Sequence, residues 1–336
     1  MAGYMKWIKR VVVLGLLALA LPIAGGIWYA TQPMHIEPLP YTLNVAPGTT
    51  LRGLSKQLER DGVIADARPF WLLGRILGKG ARLKAGIYTL DRALSPLELY
   101  GKLERGEVTQ AAVQFIEGWN IREVRAALAA QPLLRQDSRS LSDRELLNAI
   151  GAEETHPEGI FFPDTYLFAP HASDLEVLRR AYRMQREKLM QAWQSRAPGL
   201  PYQTPYEALI MASIIEKETG AAFERPLIAA VFVNRLRIGM RLQTDPTVIY
   251  GLGEDFDGNL RRADLLRDTP YNTYTRAGLP PTPIAMPSEA AIRAALNPEP
   301  SDVLYFVSRN DGTHIFSRNL NEHNRAVNRY QRGGQR

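Results

Sequence analysis

Thr204–Gly220 reads TPYEALIMASIIEKETG. Thr204 has N-cap chemistry, Pro205 fits the first helical position, and Glu207 stands where a capping glutamate returns a bond. From Ala208 to Ile215 the segment is apolar on every side apart from Ser213. A helix that is apolar all round lies inside a domain. The stretch therefore predicts a buried central helix over 204–219, with Gly220 as a left-handed residue just beyond it. Glu216, Lys217, Glu218 and Thr219 close the helix. Helix C-termini favour cations, so the macrodipole and burial together would raise the pKa of a glutamate there. A carboxyl so raised is what a general acid near neutral pH requires. The two glutamates lie about 200° apart around the helix and cannot share one cleft. Glu218 shares a face with Met211, Ile214 and Ile215, and Glu216 with Leu209, Ala212 and Ser213. Periodicity does not choose between them. The rival reading is a pair of solvated end-of-helix charges, one of them paired with Lys217 or Arg225.

Downstream, Asn234–Tyr250 reads NRLRIGMRLQTDPTVIY. Arg235, Arg237 and Arg241 are planar cationic forks suited to carboxylates. Asp245-Pro246 opens a short helix, and Asp245 is either a plain N-cap or a second carboxylate for the site. Gln243, two residues before it, joins the candidate substrate contacts. Tyr271–Pro283 reads YNTYTRAGLPPTP. Tyr271, Asn272 and Tyr274 combine ring faces with an amide, as sugar-binding clefts do, unless the segment is simply a rigid surface loop. His156, Glu158 and Phe161–Tyr166 form another turn-rich aromatic stretch. The five histidines are isolated from one another, and no HExxH, GxSxG, P-loop or GxGxxG occurs. The sequence calls for no metal and no cofactor.

The flanking segments fill out an α+β protein. Tyr41–Val45 alternates as a strand and stops at Pro47-Gly48. Thr50–Arg60 and Arg68–Leu77 have helical spacing, Leu83–Leu90 is a second strand, and Ser95-Pro96-Leu97-Glu98 opens a helix. Residues 41–106 thus form a small strand–helix–helix–strand–helix module. Val108–Ile116 is predicted as a further strand. Beyond it, residues 107–336 are helix-dominated. Asn120…Glu123, Ser142…Glu145, Ser173…Glu176, Thr204…Glu207 and Asn319…Glu322 all have capping-box spacing. A long helix runs from Ser173 to about Ala197, a hairpin folds at Asn310-Asp311-Gly312, and Arg325–Tyr330 ends the last helix.

The N-terminus sets the compartment. Met1–Arg10 carries Lys6, Lys9 and Arg10 with no acid, and Val11–Ala30 carries no charge. Twenty residues at about 1.5 Å each cross the roughly 30 Å hydrocarbon core. The basic flank puts residues 1–10 in the cytoplasm, 11–30 in the membrane, and the rest outside, after a proline-rich linker at 31–40. A cleaved signal peptide is the alternative, and it too exports the bulk of the chain. The chain has 336 residues, 41 Lys+Arg, 35 Asp+Glu and no Cys, so its formal charge is 41 − 35 = +6. The missing cysteines exclude thiol nucleophiles, disulfides and Cys-ligated metals. Export makes nucleic acid an implausible partner for the positive charge and leaves an anionic wall polymer.

Several segments together resemble one family. A single anchor and a LysM-like module precede EGIFFPDTY (Glu158–Tyr166), MASIIEKET (Met211–Thr219) and VFVNRLRIGMRLQTDPTVIYGLG (Val231–Gly253). YNTYTRAGLPPTPI (Tyr271–Ile284) and the stretch from Tyr305 to Asn324 follow. In this order they resemble the MltG, or YceG-like, family of endolytic murein transglycosylases, over nearly the whole chain. The resemblance implies that Glu218 is catalytic and that the helix bearing it is like that of lysozyme-like lytic transglycosylases. It implies peptidoglycan glycan strands as substrate, cut between N-acetylmuramic acid and N-acetylglucosamine with closure of a 1,6-anhydro ring. It further implies penicillin-binding synthases as partners, the inner membrane as location, and an end to glycan elongation as outcome. Two other functions stay open: a hydrolase using water through Glu218 and Asp245, and a wall-binding scaffold for synthases.

Overall fold

Alternation buries Leu43 and Val45 of a five-residue strand, β1 (Tyr41–Val45), and that strand organises the first of two units. The computed structural model describes residues 14, 18, 20–46, 48–79 and 83–333, and the chain divides into Met1–Ala111 and Ala112–Arg336. The first unit holds a helix over residues 20–31 (α1), then β1, α2 (Leu51–Arg60), α3 (Ala67–Ile76), β2 (Gly86–Leu90) and α4 (Pro96–Arg105). β1 pairs antiparallel with β2, from Tyr41 opposite Leu90 to Val45 opposite Gly86. The second strand is shorter than predicted, because β1 offers no partner beyond Val45. Instead the Lys84 amide donates to the Leu103 carbonyl at 3.3 Å, at the end of α4. Phe70 and Tyr100 stack at 4.4 Å in the core, and the Tyr100 hydroxyl donates to the Phe70 carbonyl at 2.7 Å. Gly74 makes that contact possible, since a Cβ there would lie 2.5 Å from the Tyr100 hydroxyl. The stretch predicted as a linker is packed: Met34 and Ile36 are buried in the same core.

Among the described residues no helix is long and apolar enough to cross a membrane. The predicted span 11–30 lies partly outside them, at residues 11–13, 15–17 and 19, and the predicted tail 1–10 lies outside entirely.

The second unit is helix-rich with two small sheets. Its order is β3 (Ala111–Gln114), α5 (Ile121–Ala129), α6 (Asp143–Ile150), β4 (Thr165–Phe168) and α7 (Asp174–Gln194). There follow α8 (Pro205–Glu218), α9 (Arg225–Arg237), α10 (Asp245–Leu252), α11 (Arg262–Leu266) and α12 (Glu289–Leu296). The hairpin β5 (Tyr305–Ser308) and β6 (His314–Ser317) and then α13 (Leu320–Val327) end it. β3 pairs with β4, and β5 pairs antiparallel with β6 in the predicted hairpin. The strand expected over Val108–Ile116 is confined to four residues.

α8 is the predicted buried helix. Every residue from Ala208 to Ile215 is buried, and α7, α9, α10 and α12 all pack against it. Its exit differs from expectation. Thr219 leaves the helix in an extended conformation (φ −146°, ψ 136°), and its hydroxyl accepts from the Ala221 amide at 2.9 Å. No left-handed glycine is used, so the chain turns sharply just after Glu218. The caps form as predicted in part. Asn120 and Ser142 close reciprocal boxes. At Thr204 and Asn319 the glutamate bonds instead to the amide before the cap. Ser173 accepts from Leu175.

Candidate active site

The two glutamates at the end of α8 go to different places. Glu216 is consumed by structure. Its side chain is 6% exposed and pairs with Arg225 at 3.4 Å. It also accepts from the Ser288 amide at 2.9 Å and from the Ser288 hydroxyl, tying α8 to the cap of α12. Lys217 donates to the Gly118 carbonyl at 3.2 Å. Among the described residues Glu218 has no cationic side chain bonded to it. It lies in the wall of a cleft of about 440 Å³ and accepts a hydrogen bond from the Thr244 hydroxyl.

That bond explains an anomaly in α10. Thr244 is its N-cap residue, yet its side chain caps nothing in its own helix. The hydroxyl is turned to Glu218 instead. Buried threonines hold it there: the Thr244 amide donates to the Thr273 hydroxyl at 3.1 Å, and the Thr247 hydroxyl lies 2.9 Å from that of Thr273. Asp245 opens α10 on the same cleft and accepts from the Tyr274 hydroxyl at 2.5 Å. Burial is the main reason that Glu218 has its pKa pushed up to about 7, and the charge of Asp245 pushes the same way. The Thr244 bond and the nearby charges of His314 and Arg235 oppose the shift without cancelling it. A carboxyl so placed carries a proton in part at neutral pH, and desolvation is the largest cause of the shift.

Gln243 also lines the cleft. It is held at φ 49°, a left-handed conformation rarely adopted by a side-chain-bearing residue, and its amide donates to the Thr273 carbonyl at 3.2 Å. Such strain is kept where surrounding structure needs a side chain aimed in one direction. Arg235, which also lines the cleft and is 7% exposed, donates to the carbonyls of Leu304 and Leu242 at 2.7 and 2.6 Å and sits 5.3 Å over the Tyr305 ring. His314 reaches the cleft from β6. Its Nδ1 lies 2.7 Å from Glu224, which is 4% exposed and also accepts from the His314 amide at 2.8 Å.

Two of the residues expected to touch substrate do other work. Asn272 is 0% exposed, and its amide donates to the carbonyls of Asp264, Leu265 and Arg267 while its oxygen accepts from the Tyr274 amide. It staples the loop that delivers Tyr274, and no donor is left for a sugar. Tyr271 is not in the cleft wall. Its hydroxyl lies 2.9 Å from that of Thr282, and its ring meets Tyr250 edge-on at 4.8 Å. The cleft thus gathers Glu218, Asp245, Gln243 and Tyr274 of the predicted set. Sequence reasoning missed Thr244 and the Glu224–His314 pair. Thr244 stands between two chosen residues at a helix start where Asp245 reads as the cap, and the pair is joined across 90 residues, which no local pattern reveals.

The sequence profile of the YceG-like family matches residues 43–329. A Bacillus subtilis (strain 168) protein named endolytic murein transglycosylase is 32% identical over 305 residues, covering 86% of this chain and 84% of its own. Two Streptococcus pneumoniae proteins of the same name, from strains D39 and R6, are 27% identical over 361 residues. The match covers 95% of this chain but only 65% of theirs. A crystal structure of a yceG-like protein from Listeria monocytogenes is 31% identical, with a TM-score of 0.51, covering 85% of this chain and 98% of that one.

Proposed function

Because the chain belongs to the YceG-like family, we propose that it is a membrane-anchored endolytic lytic transglycosylase of peptidoglycan. The observation that carries this reading is Glu218, a carboxyl with a pKa of about 7 in the wall of a cleft. The substrate is the glycan strand, and the bond cut is the β-1,4 link from N-acetylmuramic acid to N-acetylglucosamine. Protonated Glu218 gives its proton to the glycosidic oxygen as the C1–O bond breaks. The Glu218 carboxylate then takes the proton of the C6 hydroxyl on the same muramic acid, whose oxygen attacks C1 and closes the 1,6-anhydro ring. Both products keep their atoms and no water is consumed.

Most glycosidases need a second carboxylate to activate water or attack the sugar. Here the nucleophile is part of the substrate, and its effective molarity replaces that second group. Asp245 then has two tasks: its charge helps Glu218 retain a proton, and it faces the positive charge that grows at C1. Gln243 and Tyr274 are the polar substrate contacts, while Tyr271 and Asn272 support the loop behind them. The uncharged run Val11–Ala30, with its basic N-terminal flank, supports an inner-membrane anchor with an external catalytic unit. Such an enzyme can work beside penicillin-binding synthases and end the elongation of nascent strands.

Asp245 on the cleft favours one competing reading, hydrolysis by a two-carboxylate mechanism. Mass spectrometry of digested wall material separates the two. Anhydro ends from the wild type, and none from Glu218→Gln, are expected. Reducing ends would replace this mechanism with hydrolysis.

A further inference from the structure

α3 is apolar on two faces, and only one of them is used by the core. Phe70 and Gly74 face inward and are buried. On the other side Leu72 is 52% exposed and Ile76 73%, one turn apart, and Leu77 follows at 38%. Leu97 on α4 adds a fourth side chain at 44%. These residues border a groove of about 820 Å³, and its opposite wall is α1, with Ile23, Ile27 and Trp28 at 55%, 61% and 65% exposure. Contiguous apolar surface on this scale marks a binding face.

Three observations identify the occupant. The first is continuity: one wall of the groove is the end of the apolar run Val11–Ala30, so whatever surrounds that run adjoins α3 as well. The second is attachment: Ala30, Met34 and Ile36 are buried, and the Met34 amide donates to the Leu94 carbonyl at 2.8 Å, so α1 leaves the unit from a fixed point beside the groove. The third is the flank. Arg75 borders the apolar stripe and stacks over Trp71 at 5.0 Å, while Arg68 beside it is paired with Asp66 at 2.8 Å. An Arg–Trp pair beside aliphatic side chains has the chemistry of a bilayer interface, where rings sit at headgroup depth and guanidinium groups meet phosphates.

We propose that the first unit rests on the lipid bilayer through this face. Leu72, Ile76, Leu77 and Leu97 enter the acyl boundary, and Arg75 stays at the headgroups. The contact is monotopic and additional to the anchor. The inference rests on the membrane anchoring proposed above. On this reading the unit is held against the membrane surface instead of swinging on a tether.

The chain has no cysteine, so single reporters can be placed cleanly. Full-length protein carrying Leu72→Cys, Ile76→Cys or Leu97→Cys is labelled with a fluorophore and reconstituted in phosphatidylethanolamine–phosphatidylglycerol bilayers. Ile23→Cys reports the anchor, and Lys56→Cys, exposed on α2, reports water. All three groove labels should be quenched several-fold more by nitroxide lipid than by iodide, with Lys56→Cys showing the reverse. Iodide quenching at the groove positions, with lipid quenching at Ile23→Cys, overturns the docking and leaves the anchor standing. Labels refractory to both quenchers mean that protein covers the face, which also overturns the proposal. Iodide quenching at Ile23→Cys as well would bring down the anchoring reading itself.

Discussion

Glu218 and Glu216 differ by two positions and by everything that surrounds them. Their separation around the helix was legible in the sequence, but their roles were not. The partners that occupy Glu216 are Arg225, nine residues on, and Ser288, 72 residues on. Family resemblance pointed to Glu218, and the geometry now supplies a physical account: a half-buried acid held by Thr244 beside a second negative charge. Two substitutions should move its titration in opposite directions. The proposed acid works protonated, so activity should fall as pH rises through about 7. Asp245→Asn removes a charge that raises the Glu218 pKa, so the falling limb should move to lower pH. Thr244→Val removes a bond that lowers it, so the limb should move to higher pH. Rates of anhydro-product formation across pH 5–9 for the three proteins would test this. Shifts of the same sign in both variants would refute the electrostatic account.

Elements are legible in the sequence where local chemistry decides them and less so where a distant partner does. The reciprocal boxes at Asn120 and Ser142 are set within four residues, and the hairpin turn is set by Asn310 and Gly312, both at positive φ. The strand expected from Leu83 begins only at Gly86 because its length depends on β1, some forty residues earlier. The loop Tyr271–Pro283 shows the same limit for function. Its composition suggested sugar contacts, but Asn272 spends its amide on three carbonyls of the segment 264–267. Asn272→Ala should strand those buried acceptors and cost about 2–3 kcal/mol of stability. Urea denaturation measures the loss, and a change below about 0.5 kcal/mol would contradict the stapling role. Activity should fall with it, because Tyr274 depends on the same loop for its position opposite Asp245.

At the scale of the whole molecule, a buried acid outside the cleft sets a pH dependence that no local pattern reveals. Glu158 is 0% exposed in the second unit. It accepts from the Ile121 amide at 3.1 Å, where α5 begins, and from the Tyr250 hydroxyl of α10 at 3.0 Å. Despite these donors, burial pushes its pKa up to about 7 from an ordinary 4.5. A carboxyl whose pKa is higher folded than unfolded holds an extra proton in the folded state between those two values. Its contribution to stability is therefore complete below about pH 4.5 and is lost as pH rises through about 7. A displacement of that size corresponds to about 3 kcal/mol, and Glu218 pulls in the same direction. Thermal stability should decline from pH 5 to pH 8, against the usual expectation for carboxylates paired with cations. Glu158→Gln keeps an acceptor for Ile121 and Tyr250 but cannot ionise. It should remove about half of the slope, the rest being that of Glu218, and leave the protein more stable than wild type at pH 8, by several degrees in Tm for a unit of this size. Scanning calorimetry of both proteins at pH 5, 6, 7 and 8 provides the measurement. Parallel stability curves would mean that Glu158 is ionised in the fold throughout that range, bound as a carboxylate by the donors that converge on it.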